Sequence, residues 1–204
     1  MIRVNNISKT LKNKKVLDNV NFVFEEGKVY HLCGNNGSGK TMLLRALCGL
    51  MKSDEGTVEN DSDYSYGVII ENPDFYNIDS AFENLKYLSN FQKKISDKEI
   101  EDVLKLLSLY EVRNKKVKTF SLGMKQRLAI CQAIMENPDV LLLDEPFNAL
   151  DEKNIGVLCN IIKDYREKNK IIIVAAHSVN ENAEKIFDTR IKMVDGKIDS
   201  VIDL

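Results

Sequence analysis

The run Gly34-Asn35-Asn36-Gly37-Ser38-Gly39-Lys40-Thr41 carries the most specific chemistry in this sequence. It fits G-x-x-x-x-G-K-[ST] at every fixed place, the pattern of a loop that cradles phosphates. Glycines let such a backbone turn tightly and aim successive N–H groups inward, and the helix that follows adds partial positive charge at its N-terminus. Lys40 would reach the β- and γ-phosphates of a nucleoside triphosphate, and the Thr41 hydroxyl would ligate Mg²⁺. Asn35, Asn36, Gly37, Ser38, Gly39, Lys40 and Thr41 are the expected nucleotide-binding residues.

Three other groups could act beside that loop. Asp144 and Glu145 follow the apolar run Val140-Leu141-Leu142-Leu143, so both carboxylates stand at the C-terminal end of a buried strand, where ligands of open α/β sheets bind. Asp144 is placed to hold Mg²⁺ and Glu145 to polarise an attacking water, although alone the pair reads equally as a solvated acidic turn. Ser121 and Gly123 open a helix, where free N–H groups and a hydroxyl can receive an anion. His177 closes the apolar run 171–176, a place where a histidine is more often structural.

The elements that must position these residues are legible from periodicity. Residues 29–33 form an apolar strand running into the glycine loop, and Met42-Leu43-Leu44-Arg45-Ala46-Leu47-Cys48 follows with helix formers. Short strands are expected at 2–7 and 20–24, with Asn-rich and Lys-rich turns between them, then at 57–59 and 66–70, the last ending at Glu71-Asn72-Pro73. From 80 to 109 the apolar spacing becomes helical, and Ser96-Asp97-Lys98-Glu99 is a capping box. Residues from about 75 to 120 read as a helical insertion. A helix from Ser121 to Asn137-Pro138, a strand at 140–143, a helix at 152–168, a strand at 170–176, a short helix and a hairpin at Val194-Asp195-Gly196-Lys197 complete the chain. Such alternation predicts an α/β fold with a mostly parallel sheet and helices on both faces.

Composition narrows the class. With 204 residues, 44% of them apolar, the chain can bury one large α/β core as a single domain. A net charge of −2 offers no basic field to nucleic acid. Cys33, Cys48, Cys131 and Cys159 are scattered without a C-x-x-C pair, as reduced core thiols would be. No window approaches the roughly 20 apolar residues of a membrane-spanning helix, so any span is expected from another chain.

Taken in order, these motifs resemble the ATPase domain of ABC transporters over essentially the whole chain. Residues 34–41 look like its Walker A loop, 141–145 like Walker B with the catalytic glutamate, Asn148-Ala149-Leu150-Asp151 like the D-loop, and His177 like the switch histidine. Ser121-Leu122-Gly123-Met124-Lys125-Gln126-Arg127 resembles the signature segment. The resemblance implies a P-loop NTPase with an N-terminal antiparallel β subdomain and an inserted helical subdomain. It also implies two such domains, as homo- or heterodimer, packed head to tail. ATP would then lie between one chain's loop and its partner's Ser121 and Gly123, with Asp151 nearby and Glu145 and His177 supporting hydrolysis. The work would be transport, export by the look of it, through a separate integral membrane permease that holds the subunit on the cytoplasmic face of the cell membrane.

Three positions depart from the family pattern. The signature reads Phe120-Ser121-Leu122-Gly123-Met124 rather than Leu-Ser-Gly-Gly-Gln. Leu11 stands where an aromatic residue usually stacks on adenine, so weaker adenine selectivity is expected. Glu71 replaces the Q-loop glutamine and could still serve the metal. Glu71 with this signature resembles the branch that handles bacitracin-type and lantibiotic peptides. Permease contact is expected in the groove beside the Q-loop, at 71–76, with Phe75 and Tyr76 either anchoring it or packing inside the subdomain. The alternative, a soluble ABC-type ATPase of DNA repair or translation, fits less well. The inserted segment lacks the sustained heptads of a coiled coil, and the chain carries only one phosphate loop.

Overall fold

The structure is a computed structural model that describes residues 1–71, 74–91 and 95–204. Asn72-Pro73, the expected end of a strand and part of the expected permease contact, lies outside the described residues. In chain order the elements are β1 (Ile2–Leu11), β2 (Lys14–Phe24), β3 (Lys28–Cys33), α1 (Lys40–Leu47), β4 (Glu55–Asn60) and β5 (Tyr66–Ile69). Helices α2 (Ala81–Ser89), α3 (Asp97–Leu106) and α4 (Leu122–Ile134) follow. The rest alternates as β6 (Val140–Asp144), α5 (Glu152–Glu167), β7 (Ile171–Ala175), α6 (Glu181–Glu184), β8 (Thr189–Val194) and β9 (Lys197–Asp203).

Two sheets result. One is antiparallel, in the order β2-β1-β4; the other runs β5-β6-β7-β3-β8-β9, parallel except for β9. The continuous apolar runs of β6 and β7 are buried along their whole length. Their residues alternate between two cores. Leu141, Leu143, Ile172 and Val174 face the one built with α2 to α5, while Val140, Leu142, Ile171 and Ile173 face the one shared with α1 and the first hairpin. Period-two alternation with both faces covered is why these strands show no polar side.

The first hairpin departs from expectation. Its strands are longer than 2–7 and 20–24, and they carry bulges at Asn6 and Asn19. Asn6 and Asn19 each take a left-handed φ of 51° beside register shifts in the pair, a conformation asparagine tolerates better than most residues. Asn21 Oδ1 and Ser8 Oγ accept the N–H groups of Asn6 and Asn19 at 2.8 and 3.1 Å, so neither donor is stranded. The expected turn between the strands is Lys12-Asn13, with φ of 45° and 63°, the positive pair that matches strand twist in a two-residue hairpin. It leaves Leu11 at the tip.

The helical stretch breaks into separately capped pieces. Ser96 Oγ accepts the Glu99 N–H at 3.3 Å while Glu99 Oε2 accepts the Ser96 N–H at 2.7 Å, the expected capping box. Ser80 and Glu83 repeat the device at the start of α2, a signal present in the sequence at the same spacing. Gly67 in β5 lets α4 approach: a Cβ there would lie 2.0 Å from the Ala133 carbonyl oxygen.

Candidate active site

β3 delivers the chain to a loop whose glycines are required by backbone conformation and, at Gly34 and Gly39, by space as well. Gly34, Gly37 and Gly39 have φ of 144°, 81° and 107°, a region that residues with a Cβ rarely adopt. Space is also closed, since a Cβ on Gly34 would sit 2.3 Å from the Met193 carbonyl oxygen and one on Gly39 2.7 Å from that of Val16. Strands β8 and β2 thus clamp the loop from either side.

The helix that follows is capped unlike its neighbours. Ser80, Ser96, Ser121, Asp151 and Asn180 cap α2 to α6 with a side-chain oxygen, whereas Gly39 provides α1 with none. The first N–H groups of α1 therefore remain open to an anion, with the helix dipole behind them. Lys40 Nζ donates to the Gly34 and Asn35 carbonyls at 2.7 and 3.3 Å, which holds its charge within the curve of the loop.

Thr41 Oγ1 donates to Asp144 Oδ2 at 2.7 Å, joining α1 to the end of β6 two strands away. Asp144 is only 8% exposed. Burial raises its carboxyl above the ordinary value, while the Thr41 hydrogen bond and the Lys40 charge pull it back. Among the described residues no three His, Cys, Asp or Glu side chains gather into a metal cage. A hydroxyl beside one buried carboxylate suits an ion that completes its shell with phosphate oxygens and water, as Mg²⁺ does.

Glu145 follows with a left-handed φ of 48°, a strain of roughly 1–3 kcal/mol for a residue with a side chain. Its N–H donates to the Ala175 carbonyl at 2.7 Å, and its Oε1 accepts the main-chain N–H of His177 at 3.0 Å. Glu145 and His177 are thus brought together, through the backbone of His177 rather than its imidazole, which is exposed. Gln126 of α4 donates to the Pro146 carbonyl at 3.1 Å. It ties the signature helix to the acidic turn, a role for which its place in the signature segment was the only hint.

These groups face an open cleft of about 400 Å³, walled by Leu11, Lys14 and Val16, by the loop from Asn36 to Met42, and by Glu71, Asp144 and Glu145. Asn35 lines an adjoining cavity instead. Ser121, Gly123, Asp151 and His177 are not among the cleft's lining residues. Ser121 Oγ accepts the Met124 N–H at 3.3 Å, capping α4. Gly123 lies so close to the 148–151 turn that a Cβ would come 2.6 Å from the Ala149 carbonyl oxygen. Asp151 Oδ1 accepts from Asn154 N and Nδ2 at 2.8 and 2.7 Å, bonds that cap α5 and hold its carboxyl below the ordinary value.

Two positions left open by the sequence can now be placed. Glu71 lines the cleft with Thr41 and Asp144, its main-chain N–H and its charge both acting on Asp144, and its carboxylate pairs with Arg45 Nη2 at 2.8 Å. The guanidinium of α1 captures it, a pairing that no local spacing reveals. Phe75 is buried in the core of the helical region and is no surface anchor. Tyr76 is exposed and begins an aromatic file, edge to face with Tyr87 at 5.4 Å, itself 4.9 Å from Phe91.

A glycine loop between a central parallel strand and a helix, linked by Thr41 to an acidic strand end, defines a P-loop nucleoside triphosphatase. Residues 17–148 match the ABC transporter family. The chain is 43% identical over 209 residues to the ABC transporter ATP-binding protein YybJ of Bacillus subtilis, covering 98% of this chain and 95% of that one. It is 34% identical to the lantibiotic transport ATP-binding protein SrtF of Streptococcus pyogenes, covering 97% and 89%. To the bacitracin transport ATP-binding protein BcrA of Enterococcus faecalis it is 34% identical, covering 92% and 64%. A dimeric ATP-binding cassette solved after hydrolysis, with ADP and Pi bound, superposes with a TM-score of 0.89 at 27% identity, over 100% of this chain and 99% of that one. The chain belongs to the ABC transporter family, as an ATP-binding and ATP-hydrolysing subunit. The likeness to the bacitracin and lantibiotic branch is borne out by its relatives, and the DNA-repair alternative gains no support from them.

Proposed function

We propose that residues 1–204 act as a single ABC ATPase domain that powers export of a peptide of the lantibiotic or bacitracin kind through a separate membrane permease. The observation that carries the mechanism is the separation of Ser121 and Gly123 from their own cleft. A cleft holding the loop, Asp144 and Glu145 but no signature residue is half a site, and a head-to-tail partner supplies the other half. In that dimer ATP lies on the loop from Asn35 to Thr41, with Lys40 against its outer phosphates and Leu11 packed on its base. Thr41 and Asp144 hold Mg²⁺, which when bound neutralises charge on the phosphates. Glu145 accepts a proton from the attacking water while His177 reaches the γ-phosphate from the adjoining strand end. The partner's signature helix closes over the same phosphate, and Asp151 keeps the start of α5 in place at the interface.

The permease docks on the aromatic file of Tyr76, Tyr87 and Phe91, and so holds the subunit at the cytoplasmic face. Exposed aromatic side chains in contact with one another are the residues from which interfaces draw most of their energy. Glu145→Gln tests the hydrolytic half of this reading. The variant should bind ATP with unchanged affinity, elute as a dimer with ATP, and lose turnover by roughly 10²-fold or more, as expected on removal of a general base. Turnover at the wild-type rate refutes the assignment of Glu145.

A further inference from the structure

His31 lies in β3, three residues before Gly34, and is 4% exposed. Its ring stacks on Phe187 with centroids 4.7 Å apart and planes at 21°. Nε2 is 3.2 Å from the Ala176 carbonyl oxygen. A carbonyl can only accept, so the proton of the neutral ring belongs on Nε2. Nδ1 is buried with no hydrogen-bond partner. As packing alone this is a costly choice, because an apolar ring would fill the space without burying a bare polar atom.

The acceptor explains the choice. The Ala176 carbonyl and the His177 N–H belong to one peptide group, and that N–H donates to Glu145 Oε1 at 3.0 Å. One peptide plane is therefore held at both ends, by His31 from inside the sheet and by the Glu145 carboxylate from the cleft. Ala176 N–H still bonds to the Leu32 carbonyl at 3.1 Å, as a continuation of the β3–β7 ladder. From there on a side chain sets the tilt of the next peptide. The site also favours the neutral donor form, since burial lowers the pKa of His31, and the charges of Arg190 and Lys40 act in the same direction against its bond to Ala176.

We propose that His31 is a positioning residue for ATP hydrolysis: its Nε2–H orients the 176–177 peptide and, through it, the Glu145 carboxylate and the His177 side chain. The inference rests on the reading of Glu145 as the group that activates water. His31 does not line the nucleotide cleft, so its loss acts on turnover and not on ATP affinity.

The test uses the full chain and steady-state ATPase kinetics. His31→Phe keeps the ring and the stacking and deletes the donor. We expect kcat to fall roughly tenfold, the scale of one lost orienting hydrogen bond, with KM for ATP within about twofold. His31→Gln can place an amide N–H near the Nε2 position and should recover most of the loss. If the Phe variant does not fold, as judged by thermal melting, His31→Met against His31→Gln makes the same comparison. The proposal is overturned if the donor-less variant turns over within twofold of wild type, or if the Gln variant is as slow as it. Glu145→Gln is measured alongside. If it is inactive and His31→Phe is not slowed, only the positioning role falls; if it is active, the reading of Glu145 falls and takes this role with it. In the double variant the His31 change should lower the residual rate by less than it lowers the wild-type rate, and an undiminished loss overturns the route through Glu145.

Discussion

Replacing Gly123 by Ala adds one methyl group where α4 begins against the 148–151 turn. The added Cβ would lie 2.6 Å from the Ala149 carbonyl oxygen, 0.8 Å inside the 3.4 Å at which ordinary contact starts. The obstacle is main chain, so it cannot be relieved by a rotamer change; the turn or the helix must move by most of that distance. Gly123 does not have a positive φ, and alanine favours a helix by about 0.5–1 kcal/mol over glycine. Any destabilisation must therefore come from the collision, which at about 1–3 kcal/mol for overpacking should outweigh the propensity gain. For a domain of this size the melting temperature should fall by up to roughly 8 °C. Catalysis should suffer more, since a shift of about 1 Å in a reacting assembly can cost on the order of 10²-fold in rate. ATP affinity of the isolated chain should be unchanged, because Gly123 lies outside its own cleft. Thermal melting, ATP titration and steady-state turnover on one preparation decide the matter. Wild-type turnover and melting would refute the reasoning, and weakened ATP binding by the monomer would refute the separation of the two half-sites.

Leu11→Tyr places a π-face at the hairpin tip and should tighten ATP binding by about 0.5–1.5 kcal/mol; unchanged affinity in a titration removes Leu11 from the base site. Asp144→Asn should abolish turnover yet raise the melting temperature of the nucleotide-free chain at neutral pH. The folded pKa of Asp144 is raised by burial, so its ionised form opposes folding above that pKa. The advantage of the Asn variant should therefore shrink as pH falls through the raised value toward the ordinary aspartate range. A lower melting temperature for the variant at pH 7 contradicts this. Tyr87→Glu and Phe91→Glu, on the exposed aromatic file, should leave ATPase activity intact and reduce recovery of the subunit with its permease; full recovery of both variants removes the file as the docking surface.

How much of this was legible in the sequence depended on how local each feature is. The glycine loop, the apolar strands around it and the capping box at Ser96 are written in neighbouring residues, and each was found where periodicity placed it. The bulges at Asn6 and Asn19 have no sequence signal of their own, because asparagine accepts the same left-handed geometry in a turn and in a bulge, and only the pairing strand distinguishes them. The capture of Glu71 by Arg45, the burial of Phe75 and the bond from Gln126 to the Pro146 carbonyl are approaches between distant segments. No spacing rule encodes them. His31 was passed over for a similar reason: within an apolar strand it looks like an ordinary core residue until Ala176 is set beside it.

The missing side-chain cap on α1 has a consequence for the stability of the chain as well as for its chemistry. With Gly39 at the cap the helix gives up only about a few tenths of a kcal/mol against a side-chain cap, and its first N–H groups are left for a ligand's phosphates. Nucleotide is then the last piece of the helix's secondary structure, supplied from solution. Its concentration becomes a folding variable: at a hundredfold excess over the dissociation constant, ligand adds about 2.7 kcal/mol to stability. A subunit depleted of ATP lacks that increment of stability as well as its substrate.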